Sequence, residues 1–202
     1  FNKKINVKTA KKLIENFYEV VAAPDFEKDA LLILKNKKNL RVLKVKKFKK
    51  KMEQRSIFAG DLIQSVNNRK STIREIFGFN KLKKDKIDFF TNVLKFIKSN
   101  AIALFDQTSL VSQSGGQTSR VDSLRNCLYK LKTKQKDKRM EQLFLFSDAF
   151  FPFTDSLEFI KNENLKIDVY APMGSKNDSQ IEKFVKDNQL NFFKMSDRHF
   201  KH

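Results

Sequence analysis

The 202-residue sequence predicts an α/β protein, a three-layer α/β/α arrangement around a mixed sheet. Three observations lead there. Segments of helical period alternate with short β-rich apolar runs along most of the chain, which favours parallel strands joined by helical crossovers. One pair of runs, Ala101–Phe105 and Ser109–Gln113, is separated only by Asp106, Gln107 and Thr108, a spacing that suits an antiparallel hairpin. Finally, 40% hydrophobic and 32% charged residues make a composition able to bury a core.

In chain order, Ala10, Leu13, Ile14 and Phe17 recur at helical spacing behind Thr9 as a cap, and Tyr18–Ala22 reads as a strand. Pro24 and Asp25 turn the chain; Lys28–Leu34 is a helix and Leu40–Val45 a strand. Between Lys46 and Lys84 the pattern loosens into a basic connector, a β-like stretch at Ile57–Val66 and a polar segment around Asn67–Arg69, which makes this the expected unit boundary. Ile87, Phe90, Val93, Leu94 and Ile97 form an amphipathic helix ending near Ser99. After the hairpin come Gly115 and Gly116. Val121, Leu124, Cys127, Leu128 and Leu131 then mark a helix whose N-terminus falls at Gln117–Arg120, where free N–H groups and the helix dipole suit an anion. Strands at Leu143–Phe146, Ile167–Tyr170 and Asn191–Met195 alternate with helices at Asp155–Asn162 and Ser179–Val185. The terminal Arg198–His202, aromatic and cationic directly after a strand, is expected to dock.

The charge is strongly positive, with 42 Lys and Arg against 23 Asp and Glu, a net +19. A basic nucleic-acid-binding module is therefore the alternative reading. It is disfavoured because lysines dominate and are spread along the chain. The densest cluster, Lys44–Lys51, also contains a single aromatic, Phe48, where single-strand binders need several stacking faces. Apolar runs are far shorter than the roughly 20 residues that span a bilayer, and no leader opens the chain, so a soluble, unsecreted, cytoplasmic protein is expected. The one cysteine, Cys127, reads as a core thiol. Because the chain opens at Phe1 without Met, a missing upstream part is expected.

Four stretches carry more specific information: YEVVAAPDFEKDALLILKNKKNLRVLKV, KSNAIALFDQTSLVSQSGGQTSRVDSLR, FSDAFFPFTDSLEF and the terminal RHFKH. In this order they resemble the transformylase half of the bifunctional purine enzymes that also carry inosinate cyclohydrolase activity. The resemblance implies cytidine-deaminase-like units, with residues 1–50 the tail of one and 51–202 most of a second. It also implies formyl transfer from 10-formyltetrahydrofolate to the amino group of aminoimidazole carboxamide ribonucleotide (AICAR), within a homodimer that shares its active site.

By that resemblance Asn100 contacts the base or the transferring formyl group, as an amide able to donate and accept. Arg120 and Arg198 hold the ribonucleotide, Arg198 at the phosphate; a guanidinium suits this because it is always charged and can bond bidentately. Only eight arginines occur beside thirty-four lysines, so two at motif positions stand out. Phe150 packs against substrate, while Pro152, Asp155 and Ser175 belong to the folate side. Met173, Lys176 and Ser114 depart from the family pattern.

The family's proton-transferring Lys-His pair lies upstream of a segment matched by Phe1, so transfer by this chain alone is expected to fail. His199 and His202 match terminal family positions with packing and substrate-side roles. A structural potassium ion near the terminus is a further expectation. No other metal is expected, because the zinc pattern of deaminases, HxE with CxxC, is missing.

Overall fold

The computed structural model describes residues 1–46, 52–134, 142–163 and 165–202, so Lys47–Lys51, with Phe48, lie outside the described residues. The chain forms two compact units, Phe1–Val66 and Asn67–His202.

In the first unit, α1 (Val7–Ile14) and α2 (Lys28–Lys35) pack on β1 (Val20–Ala23) and β2 (Arg41–Lys44), which run parallel. Asn6, not Thr9, caps α1: its Oδ1 accepts from the Thr9 N–H at 2.9 Å. Thr9 is thus the donor of the cap bond and the third residue of the helix, inside it rather than before it. Phe17 lies past the helix end and is 82% exposed, so the helical spacing overran by one turn. Ile5, Ala10, Leu13, Val21, Phe26, Ala30 and Leu34 make the core. An antiparallel hairpin follows, β3 (Met52–Ile57) and β4 (Gly60–Ser65), where the sequence suggested one β-like stretch.

The second unit is an α/β structure on one six-stranded mixed sheet. Its strands are β5 (Ile73–Phe77), β6 (Ile102–Phe105), β7 (Leu110–Ser114), β8 (Leu143–Ser147), β9 (Ile167–Pro172) and β10 (Phe192–Met195), in the order β5-β10-β9-β8-β6-β7. The three strands β8, β9 and β10 are parallel; β5 pairs antiparallel with β10 and β6 antiparallel with β8, and β7, antiparallel to β6, runs in the direction of the central three. The expected hairpin is β6–β7. Edge strand β5 was not legible: its exposed and half-buried residues lack the alternation of a strand with one dry face.

Two cores, one on each sheet face, account for the layers. Along β6, Ile102 and Leu104 face one side with α4 (Arg120–Lys134), α5 (Asp155–Asn162) and α6 (Asp178–Asp187), whereas Ala103 and Phe105 face α3 (Lys84–Leu94). The α3 face is aromatic: Phe90 stacks on Phe105 at 4.1 Å between centroids, and Tyr170 stacks on Phe146 at 4.6 Å and on Phe193 at 4.8 Å. Each such ring contributes roughly 1.5–3 kcal/mol on burial. Cys127 is fully buried in the opposite core, as expected, and burial pushes its thiol up to about 11.

Candidate active site

Strand direction alone gathers the candidate residues. β8, β9 and β10 are parallel and end at Ser147, Pro172 and Met195, while β6 begins at Ile102 opposite Ser147 and β7 ends at Ser114 opposite Ile102. The segments just outside these ends, near residues 98–101, 115–120, 148–155, 173–178 and 196–202, therefore share one rim. The carboxyl ends of parallel strands are where open α/β sheets ordinarily place a ligand crevice.

On one side of the rim the side chains of Asn100 and Arg120 meet. Arg120 Nη2 donates to Asn100 Oδ1 at 3.1 Å, and Nη1 donates to Ser147 Oγ at 3.0 Å and to the carboxylate of Asp148. Arg120 is 8% exposed and Asp148 fully buried, so this is an interior ion pair rather than a surface one. Asn100 Nδ2 donates to the Gln117 carbonyl at 3.1 Å and to that of Thr118 at 3.3 Å, which fixes which way its amide faces. Ser123 Oγ donates to the Asn100 carbonyl at 2.5 Å.

The start of α4 supplies its own anion. Ser119 Oγ accepts from the Asp122 N–H at 3.1 Å and donates to the Asp122 carboxylate at 2.6 Å, so a side chain of this helix already occupies part of the expected anion position. Gly115 is required by close packing, because a Cβ there would stand 2.6 Å from the Lys98 carbonyl oxygen.

Across the rim, the Arg198 guanidinium lies 4.6 Å over the Phe150 ring and donates to the Gly174 carbonyl at 3.3 Å. Gly174 adopts φ +120°, and a Cβ there would come within 2.8 Å of Arg198 Nη2. Arg198 is exposed and, among the described residues, forms no ion pair, which leaves most of its donors open. Asn177 links two of the remaining three candidates: its Nδ2 donates to the Pro152 carbonyl at 2.7 Å and its N–H to Ser175 Oγ at 3.0 Å. Asp155 is exposed in the first turn of α5, and its Oδ1 accepts from the Ser156 N–H at 2.6 Å. It bonds to none of the other six.

The two sides are joined through the C-terminus, which docks as expected. The His199 N–H donates to the Asp148 carbonyl at 2.8 Å; Ser99 Oγ donates to Asp148 Oδ2 at 2.5 Å and accepts from the Lys201 N–H at 3.1 Å. His199 is fully buried, with Nδ1 3.0 Å from Asn67 Nδ2 and Nε2 2.7 Å from Ser71 Oγ. The Asn67 amide nitrogen can only donate, so Nδ1 accepts and Nε2 carries the proton toward Ser71. Burial first, and then the charge of Lys95, pull this imidazole down to about 4, so it stays neutral. It is a packing group, not a base facing the rim.

Asp148, Ser147, Ser99 and Asn177 were missed from sequence. Asp148 and Ser147 sit inside the FSDAFFPF stretch, in which the resemblance points only to residues from Phe150 onward; Asn177 carries no sequence signal. Among the described residues no cluster of three or more His, Cys, Asp or Glu could hold a metal ion, and no helix is long and apolar enough to cross a membrane. Two open hollows, one beside Leu13, Phe17 and Leu40 and one beside Leu110 and Lys130, are not lined by rim residues.

A family model described as the AICARFT/IMPCHase bienzyme matches residues 1–130, which include Asn100 and Arg120. The chain belongs to the AICARFT/IMPCHase bienzyme family. Relatives extend the match over the rest of the rim. The bifunctional purine biosynthesis protein PurH of Persephonella marina is 35% identical over 217 residues, covering 100% of this chain and 40% of the relative. PurH of Clostridium botulinum (strain Hall) is 34% identical over 207 residues with the same coverage. The chain thus spans about 40% of the length of these curated bienzyme relatives.

Proposed function

We propose that this chain belongs to the formyl-transferring part of the bienzyme and supplies the nucleotide and folate walls of its site. The observation that supports this reading is the shared rim: Asn100, Arg120, Phe150, Pro152 and Arg198, from three of the four motif stretches, and Ser175 stand around one end of the sheet's strands. In the reaction the 5-amino nitrogen of AICAR attacks the formyl carbon of 10-formyltetrahydrofolate. The bond from that carbon to the folate nitrogen breaks, and the proton lost by the attacking amine ends on that folate nitrogen. The amine is a poor nucleophile, so placing it and stabilising the developing oxyanion carry much of the rate.

Arg198 would take the phosphate with its open donors, and Phe150 would wall the substrate. Asn100, oriented by Arg120, would contact the base or the formyl oxygen; Arg120 would act on the ribonucleotide mainly through that neighbour. Pro152, Ser175 and Asp155 would border the pterin. A cytoplasmic homodimer completing each site from two subunits is part of the same proposal, as is the upstream Lys-His pair for proton transfer.

A structural potassium ion near the C-terminus is part of the same proposal and would compete with hydrogen bonds already made there. Ser99 Oγ lies 2.5 Å from Asp148 Oδ2 there, and the Lys201 carbonyl accepts from the Ser99 N–H at 3.0 Å.

Thermal-shift measurements with AICAR, tetrahydrofolate and inosinate, in potassium and in choline buffers, test the reading, because a ligand that prefers the native state raises its stability. AICAR and the folate should each raise Tm, and formyl transfer by this chain alone should be undetectable. Tight, salt-sensitive binding to generic oligonucleotides with no shift from either small molecule would overturn the proposal in favour of a nucleic-acid module.

A further inference from the structure

We infer that Asn177 is a positioning residue for the folate side of the rim, latching the loop after β8 to the turn after β9. The identity of the ligand rests on the formyltransferase reading; the latch itself rests on geometry. Asn177 is the residue before α6, where an asparagine side chain ordinarily accepts from a free N–H of the first turn. Here it makes no such cap bond. Its amide instead turns away and donates to the Pro152 carbonyl at 2.7 Å, across 25 residues of chain. A local stabilisation of the helix is forgone for a long-range contact, which points to a demand on the loop rather than on the helix.

The turn it anchors to is held firmly. The Asp178 carboxylate accepts from both the Gly174 N–H at 2.7 Å and the Ser175 N–H at 2.9 Å, and Ser175 Oγ accepts from Asn177 itself. At its other end the loop is held by Phe150 under the Arg198 guanidinium, which in turn donates to Gly174. These links form a closed circuit, and the Asn177 bond is the one that reaches the loop beyond Phe150. Phe153, 60% exposed, and Asp155 follow directly, so the latch sets the place from which both are presented. The contact needs a donor. An aspartate of nearly the same shape would set a carboxylate against the Pro152 carbonyl and repel it.

The test uses the 202-residue chain and its Asn177→Ala and Asn177→Asp variants. Hydrogen exchange is followed at Phe151, Phe153 and Thr154, on either side of the Asn177 contact, with Phe150 and α4 as internal controls. Affinities for tetrahydrofolate and for AICAR are measured by calorimetry. Loss of one neutral hydrogen bond should speed exchange in the loop and weaken the folate by about tenfold, Asp more than Ala, with AICAR affinity and α4 protection unchanged. Unchanged loop exchange in both variants overturns the latch. An equal loss of both ligands, or loosening of α4, makes Asn177 a general structural residue and overturns it too. If the unaltered chain binds no folate, the formyltransferase reading falls, and the exchange comparison still decides the latch.

Discussion

Arg120 donates to the side-chain oxygen of Asn100 at 3.1 Å across 20 residues of sequence, and its other guanidinium nitrogen reaches the buried Asp148. The arginine is therefore more than a charged wall: it holds the amide beside it in one orientation, and the carboxylate behind it holds the arginine.

Removing that carboxylate should be costly. Asp148→Asn leaves a guanidinium buried without its counter-charge, an effect of about 3–5 kcal/mol in urea unfolding. Replacing both partners with apolar residues, Arg120→Met with Asp148→Leu, should recover much of the loss, because neither charge then needs desolvating. A double variant no more stable than Asp148→Asn would show that the pair matters for something other than its buried charge.

Arg198 calls for the opposite outcome. It is exposed, so Arg198→Ala should move Tm by no more than about 2 °C, yet lower AICAR affinity by about 10–100-fold if its open donors take the phosphate. Arg198→Lys should fall between the two, since a point charge keeps the attraction and loses the flat stacking on Phe150. Calorimetry that finds AICAR binding unaltered in Arg198→Ala removes this residue from the nucleotide side.

Acid should loosen the terminal segment. His199 titrates near 4 when folded against about 6.5 when unfolded, so above pH 6.5 both states are neutral and its contribution is complete. Between pH 6.5 and 4 the unfolded chain takes up a proton that the folded chain refuses. Stability then falls as pH falls, by at most about 1.4 kcal/mol per pH unit from this group. Comparing unfolding midpoints with His199→Gln across pH 7.5 to 4.5 isolates it; parallel curves for the two proteins would contradict a neutral, buried imidazole.

Cys127 should ignore thiol reagents while the protein is native. Its thiol is fully buried and pushed up to about 11, so the reactive thiolate is scarce at pH 8. Labelling should track unfolding by urea; rapid stoichiometric labelling without denaturant would place the α4 face outside the core.

What the sequence determined by itself was the alternation of elements and the family motifs. Helix and strand periods are local: α5 begins at Asp155, and β8, β9 and β10 lie within a residue or two of where apolar runs put them, because side-chain spacing registers with the backbone period over a few residues. Motif residues such as Asn100 and Arg198 were legible for a different reason, being recognisable beside their neighbours. Edge strand β5 was not, since its stability comes from pairing with β10 rather than from its own pattern. The same holds for the contacts that organise the rim. That Arg120 is buried against Asp148, that His199 closes on Asn67 and Ser71, and that Asn177 reaches Pro152 are facts about residues 25 to 132 positions apart. Only tertiary packing decided them, because the partner of a polar side chain is chosen by which groups burial brings within hydrogen-bond reach.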